Sequence, residues 1–279
     1  MMISRVCLQR LTAAMVLGML ALQALAQSAA GPKLEKVAVH IAVGGKASLY
    51  YLPLTLAEQL GYFKAEGLEV KISDFAGGSQ SLRAVIGGSA DVVSGAYEHT
   101  INMQASKQMM TAFVQMGRLP QIAVGIAVGK AAGYKTPADL RGLKVGVSAP
   151  GSSTNILFND FIARGGLKPG DVSFIGVGTA AGAVAAMKNG QVDVMSNVEP
   201  VMTKLEQEGA VKIIADWRTV KGTEATFGGQ LPAASLYAPD KYLRENPNTV
   251  QALTTAIVRA NRWLAQASAT DVVKAVPES

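Results

Sequence analysis

The chain has 279 residues, 49% of them apolar and 16% charged, with a formal net charge of +6. That charge is a mild surplus spread along the chain, and no run of lysine and arginine is interleaved with aromatic residues, which argues against a nucleic-acid-binding role. The one cysteine, Cys7, lies near the N-terminus, so the rest of the chain has no disulfide, thiolate or cysteine–metal chemistry open to it.

Taken in chain order, residues 1–26 read as a secretory signal. Arg5 and Arg10 form a basic start, residues 11–25 form an uncharged apolar run, and Ala24-Leu25-Ala26 has the small-x-small pattern of a cleavage site. The run is shorter than the roughly 20 residues that span a bilayer. Cleavage after Ala26 and a periplasmic mature protein are therefore expected. Cys7 lacks the small-residue context of a lipidation site. Without residues 1–26, which hold two arginines and no acid, the charge falls to +4, a surplus that suits an anionic solute or no particular partner.

Residues 37–43 then read as a buried strand, and Pro53 opens a helix that runs to Gly61. Strands are expected over 68–75, 109–116 and 121–129, with a helix near 100–107. Thr136-Pro137 marks a helix start. Strands over 143–149, 172–177, 211–216 and 233–238 follow, with helices over 152–164 and 201–208. A polar loop is expected after residue 216. Residues 248–267 carry apolar positions at helical spacing (Val250, Leu253, Ile257, Ala260, Leu264). Strands separated by helices imply parallel sheets with right-handed crossovers.

Two stretches share one plan. ISDFAGGSQSLRAVIGGSADVVS (72–94) and FIGVGTAAGAVAAMKNGQVDVMS (174–196) each give a strand, a small-residue loop, a short helix and then G-x-x-D-V-x-S, at a constant offset of 102 residues. Gly88 and Gly190 suit the left-handed conformation that closes a helix. The duplication implies two similar α/β lobes with a ligand site in the cleft between them. The lobes are expected at 27–125, 126–230 and 231–279, the last segment returning to the first lobe. Crossings between them are expected near 123–128 and 228–234.

Tyr51-Leu52-Pro53-Leu54, Gly61-Tyr62-Phe63, Glu66-Gly67-Leu68, Gly88-Ser89-Ala90-Asp91, the run from Asp139 to Gly146, Gly190-Gln191-Val192-Asp193, Glu199-Pro200 and Glu245-Asn246-Pro247 together resemble periplasmic substrate-binding proteins of ABC importers. The resemblance is to those for nitrate, sulfonates, taurine and thiamine-pyrimidine precursors. It implies a two-lobe periplasmic-binding-protein fold of type II character, with parallel-rich sheets flanked by helices and a two-strand hinge. It also implies a monomer that closes over a small molecule and presents it to a membrane permease. Relatives continue past the position of Ser279, so the return segment is expected to be incomplete.

Candidate ligand contacts fall on five loops. The resemblance makes Ser48 or Tyr50 cleft contacts. Gly78 and Ser79 open a helix, where free amides favour an anion, although Ser79 could equally be a cap. Tyr97 offers a flat face and a phenol, and Glu98 could pair with an amine. His99 reads as an ordinary first-turn residue. Ser152 and Ser153 resemble a second anion cradle, and Thr179 and Glu199 complete the rim unless they too are caps. Neither a metal site nor a cofactor is expected. No G-x-S-x-G, H-E-x-x-H, P-loop or dinucleotide motif occurs, so a non-enzymatic binding role leads. A ligand-sensing receptor with the same fold is the alternative, and a pyrimidine-synthesising enzyme a weaker one, because the related activity resembles one that depends on cysteines.

Overall fold

A computed structural model describes residues 32–277, so the expected signal lies outside the described residues. Its strands form two five-stranded sheets. The first lobe holds β1 (Ala38–Gly44), β2 (Glu69–Phe75), β3 (Val92–Ala96), β4 (Met110–Gln115) and β10 (Ala234–Pro239), in the order β2-β1-β3-β10-β4. The second holds β5 (Ile122–Ala127), β6 (Lys144–Val147), β7 (Ser173–Gly176), β8 (Val194–Val198) and β9 (Val211–Asp216), in the order β7-β6-β8-β5-β9. Replacing β1, β2, β3, β10 and β4 by β6, β7, β8, β5 and β9 turns one order into the other.

Helices α1 (Leu52–Gln59), α2 (Tyr62–Ala65), α3 (Gly78–Ile86) and α4 (Glu98–Ala105) belong to the first lobe, and α5 (Ser153–Ala163), α6 (Ala181–Lys188), α7 (Val201–Gln207) and α8 (Val220–Phe227) to the second. The chain then forms α9 (Asp240–Glu245), α10 (Pro247–Leu264) and α11 (Ala269–Ala275). Leu253, Ala256, Ile257 and Ala260 make the buried stripe of α10, which packs on α1 and α2 and closes one face of the first lobe.

The duplicated motif does the same work in both lobes. Gly88 (φ 74°) and Gly190 (φ 67°) take the left-handed conformation. The aspartate three residues on then ties its turn to the neighbouring parallel strand of its own sheet, β1 or β6. Asp91 accepts from His40 N at 2.9 Å and Asp193 from Lys144 N at 2.8 Å. Each aspartate also meets a lysine, Lys36 or Lys130. Backbone bonds from Asp91 N to His40 O and from Asp193 N to Lys144 O, both 2.8 Å, complete the match. The motif aspartates are therefore fold elements, away from the cleft.

The parallel-rich, two-lobe arrangement holds with one antiparallel strand in each sheet: β10 and β5 run antiparallel to both neighbours, since each arrives from the other lobe and so enters its sheet from the opposite end. Two other expectations need correction. The first crossing lies at residues 116–121, ahead of β5, rather than at 123–128, since β5 is already paired with β8 and β9. It runs beside the return at 228–233, with Met116 N donating to Ala234 O at 2.7 Å and Ala233 N to Gly117 O at 3.1 Å. Finally, the expected polar loop after residue 216 contains α8, whose Thr219 cap accepts from Gly222 N at 3.0 Å.

Candidate functional site

The loops that follow β1, β3, β6 and β8 meet where the lobes face each other. At that junction Gly44, at the end of β1, abuts the start of α3 so closely that a Cβ on it would stand 2.2 Å from Gly78 N. A Cβ on Gly77 would stand 2.8 Å from Ser152 Oγ, across the cleft. Glycine at 44 and 77 thus lets the helix N-terminus of one lobe come against that of the other.

The serines at those two N-termini bond to each other. Ser152 Oγ accepts from Ser79 N at 3.0 Å and lies 3.1 Å from Ser79 Oγ, which donates to Pro150 O at 2.9 Å. Neither serine hydroxyl caps its own helix: Gly77 is the cap residue of α3, and Ser152, which holds the cap position of α5, makes no side-chain capping bond there. The cap reading of these residues is set aside. Leu49 N adds another interlobe bond, to Glu199 O at 3.0 Å. The lobes are closed upon one another, and the cavity left between them measures about 20 Å³, room for roughly one water molecule.

Tyr50, Tyr51, His99, Ser152, Ser153 and Thr179 are among its walls, with Ser48 and Gly78 beside them. Among the described residues six buried side-chain polar atoms lack a hydrogen-bond partner, and five belong to this neighbourhood: Tyr50 OH, Ser94 Oγ, Glu98 Oε1, His99 Nε2 and Ser153 Oγ. Buried polar atoms are ordinarily paired. Such a concentration marks a place where something other than protein completes the bonding.

Burial governs the electrostatics. It raises the pKa of Glu98, against weaker opposing pulls from the Ser153 hydroxyl and its own amide. It lowers His99 to about 4, so the ring is neutral at physiological pH, with the Gly151 carbonyl pulling slightly the other way. His99 Nδ1 pairs with Tyr237 OH at 2.9 Å, which fixes the ring. Tyr50 is pushed well up by burial first and the nearby Glu98 second. No lysine or arginine lines the cavity.

Of the ten candidate contacts, the structure brings Ser48, Tyr50, Gly78, Ser152, Ser153 and Thr179 onto the cavity wall, with Ser79 bonded just behind Ser152. Ser48 Oγ is spent on Gly45 O at 2.8 Å. Glu98 lies buried behind the wall beside Ser153 and the tyrosines. Tyr97 is not there; its side chain is 36% exposed. Nor is the Glu199 carboxylate, which accepts from Thr203 N at 2.9 Å and pairs with Arg218 at 2.7 Å; that guanidinium is held further by Asp216 and Glu206. Sequence reasoning passed over Tyr51 and His99. The signal for His99 was three titratable residues in succession, Tyr97, Glu98 and His99, directly after a strand of small residues. No group of three or more potential metal ligands occurs among the described residues.

Two sheets of one plan, joined by paired crossings and closed over an orphan-lined polar cavity, define a binding protein of the periplasmic-binding-protein fold. Residues 48–269 match the family described as NMT1/THI5 like, and the chain belongs to that family. A solved protein of Bordetella bronchiseptica RB50 is 58% identical, with a TM-score of 0.87, over 88% of this chain and 78% of that one. The alkanesulfonate-binding protein SsuA from Xanthomonas axonopodis pv. citri, bound to MOPS, shares the fold at 20% identity and a TM-score of 0.66, over 87% and 81% of the two chains. The nitrate/nitrite binding protein NrtA of Nostoc sp. is 25% identical, over 78% of this chain and 53% of its own length. This chain therefore spans about half of NrtA. A pyrimidine phosphate synthase of Schizosaccharomyces pombe matches only 53% of this chain. The relatives matched over most of this chain whose names state a function are binding proteins.

Proposed function

We propose that this protein is an extracytoplasmic receptor that carries a small organic solute in the cleft between its lobes to the permease of an ABC importer. The observation that carries the reading is the set of orphaned polar atoms at the interlobe cavity, contributed by Tyr50, Glu98 and His99 from the first lobe and Ser153 from the second. The tyrosine rings on one side and the N-termini of α3 and α5 on the other suit a ring or short chain that bears a hydrogen-bond acceptor. A cavity of about 20 Å³ admits no such molecule. Uptake therefore requires the lobes to part, and the paired crossings at 116–121 and 228–233 are the segments about which they turn.

A thermal-shift screen of small solutes followed by solution scattering tests this. A true ligand at about 100 times its Kd stabilises the folded protein by roughly 2.7 kcal/mol. The ligand-free protein should sample a wider form, and the saturated one should show a smaller radius of gyration. Superimposable scattering curves with and without a stabilising solute would contradict the opening step.

A further inference from the structure

We propose that Glu98 sets the specificity of the interlobe site by receiving an N–H-bearing cationic group of the solute, an amine, amidine or guanidine-type nitrogen. The assignment rests on the solute-receptor reading above and names the chemistry that site takes.

A carboxyl buried as deeply as Glu98, with Oε1 unpartnered, is costly unless a cation or several donors meet it. Among the described residues the fold brings no cation to it, and its donors are limited to the Ser153 hydroxyl and its own amide. The groups that act on it or feel it are the phenols of Tyr50, Tyr51 and Tyr237, the Ser153 hydroxyl and its own amide. His99, next in the chain, is neutral, and Asp74, which acts on Tyr51, spends Oδ1 on Gly45 N and Lys46 N. Lys46, on the loop that carries Ser48, is itself paired with Glu58 at 2.6 Å. The cation that would complete Glu98 is thus left for the solute to bring.

Access follows from which lobe each group belongs to. Glu98 and the three tyrosines are in the first lobe, whereas Ser153 begins α5 of the second, so parting the lobes withdraws Ser153 from the carboxyl while the tyrosines stay. Tyr50 and Tyr51 stand edge to face, with centroids 4.8 Å apart and planes at 75°. An aromatic corner beside a carboxyl favours a cation. An anionic group placed at this corner would instead meet a carboxyl and a neutral imidazole.

The sign of proton exchange separates the two cases. Burial raises the Glu98 pKa; a cation seated on the carboxyl lowers it again and releases a proton, whereas an anion holds the proton in place or draws in another.

The experiment compares wild type with Glu98→Gln, using matched probes: benzamidine and benzoate, β-alanine and propionate, taurine and ethanesulfonate, butylamine and butyrate. Thermal shift ranks them, and calorimetry in two buffers of different ionisation heat counts protons. The N–H-bearing member of a pair should stabilise wild type and release a proton. Glu98→Gln should weaken that binding about 10-fold to 150-fold, as expected for losing a hydrogen bond to a charged group, and should abolish the release. Without any probe, Glu98→Gln should melt higher than wild type at pH 8 and alike at pH 4. The sign follows because a carboxyl with a raised folded pKa gives its full stability below its unfolded pKa and loses it as pH rises towards the folded one. Equal or lower melting at pH 8, or unchanged affinity in Glu98→Gln, overturns the assignment. Binding of the nitrogen-free members alone also overturns it while leaving the receptor reading intact. No shift with any probe overturns both.

Discussion

The two lobes share a strand order and a motif, yet their loops at the cleft differ in kind. At the duplication offset, Ser94 corresponds to Ser196, Glu98 to Pro200 and His99 to Val201. Ser196 Oγ donates to Thr154 O at 2.8 Å, whereas Ser94 Oγ is buried without a partner. In the second lobe the charges near the cleft are matched, with Arg218 bound by Asp216, Glu199 and Glu206. In the first, an acid, a phenol and an imidazole nitrogen are left open. Among the described residues the second lobe leaves only Ser153 Oγ open at the cleft, whereas the first leaves Tyr50, Ser94, Glu98 and His99 atoms unpartnered. On the proposed receptor reading, this asymmetry assigns recognition of the solute mainly to the first lobe.

The largest effect expected from breaking this asymmetry is on acid stability. His99 is held near pKa 4 against an ordinary 6.5. Below pH 6.5 the unfolded chain takes up a proton that the folded protein refuses, so stability present at neutral pH is lost as pH falls from 6.5 to 4. The loss is roughly 3 kcal/mol. Urea unfolding at pH 7 and pH 4 should show that extra loss in wild type and not in His99→Gln. An equal loss in both proteins would mean that His99 is not buried neutral.

Where the lobes are alike, they should fail alike. Asp91→Ala and Asp193→Ala each remove a charged acceptor from the same backbone amide and a lysine partner, at about 1.5–3 kcal/mol apiece. Chemical denaturation that finds one costly and the other neutral would break the equivalence of the two motifs. The smallest effect is the most discriminating. Ser196→Ala should cost about 1 kcal/mol, while Ser94→Ala should fall within about 0.5 kcal/mol of wild type or stabilise it. Equal costs would show that Ser94 has a partner after all.

How much of this was legible in the sequence depends on the physical source of each feature. The duplication was readable because left-handed glycines and turn-binding aspartates are local backbone requirements that recur wherever the turn does. The serines at the cleft were readable as small polar residues at helix starts. Their bond to each other was not, since it spans 73 residues of chain and depends on lobe closure. Tyr97 was misplaced because it and Glu98 are consecutive, so the backbone turns them to different sides and only Glu98 is buried. Helix α8 was hidden by Gly222, which lowers helical propensity. The structure needs it, because a Cβ there would sit 1.7 Å from Asp216 O. The direction of β5 and β10 was not legible at all, because strand direction in a two-lobe fold is set by the crossings rather than by local pattern.

The central claim is that solute enters between the lobes, and a covalent lock tests it most directly. Ser79 and Ser152 have their hydroxyls 3.1 Å apart across the cleft, and the chain has a single native cysteine, Cys7. Ser79→Cys/Ser152→Cys, made in the chain that begins at Gln27, should form an interlobe disulfide on oxidation. Titrated with whichever probe stabilises wild type most, the oxidised protein should show no binding and the reduced protein should recover it. Equal affinity in the oxidised and reduced forms, with the disulfide verified by mass, would place the solute outside the cleft and contradict the account.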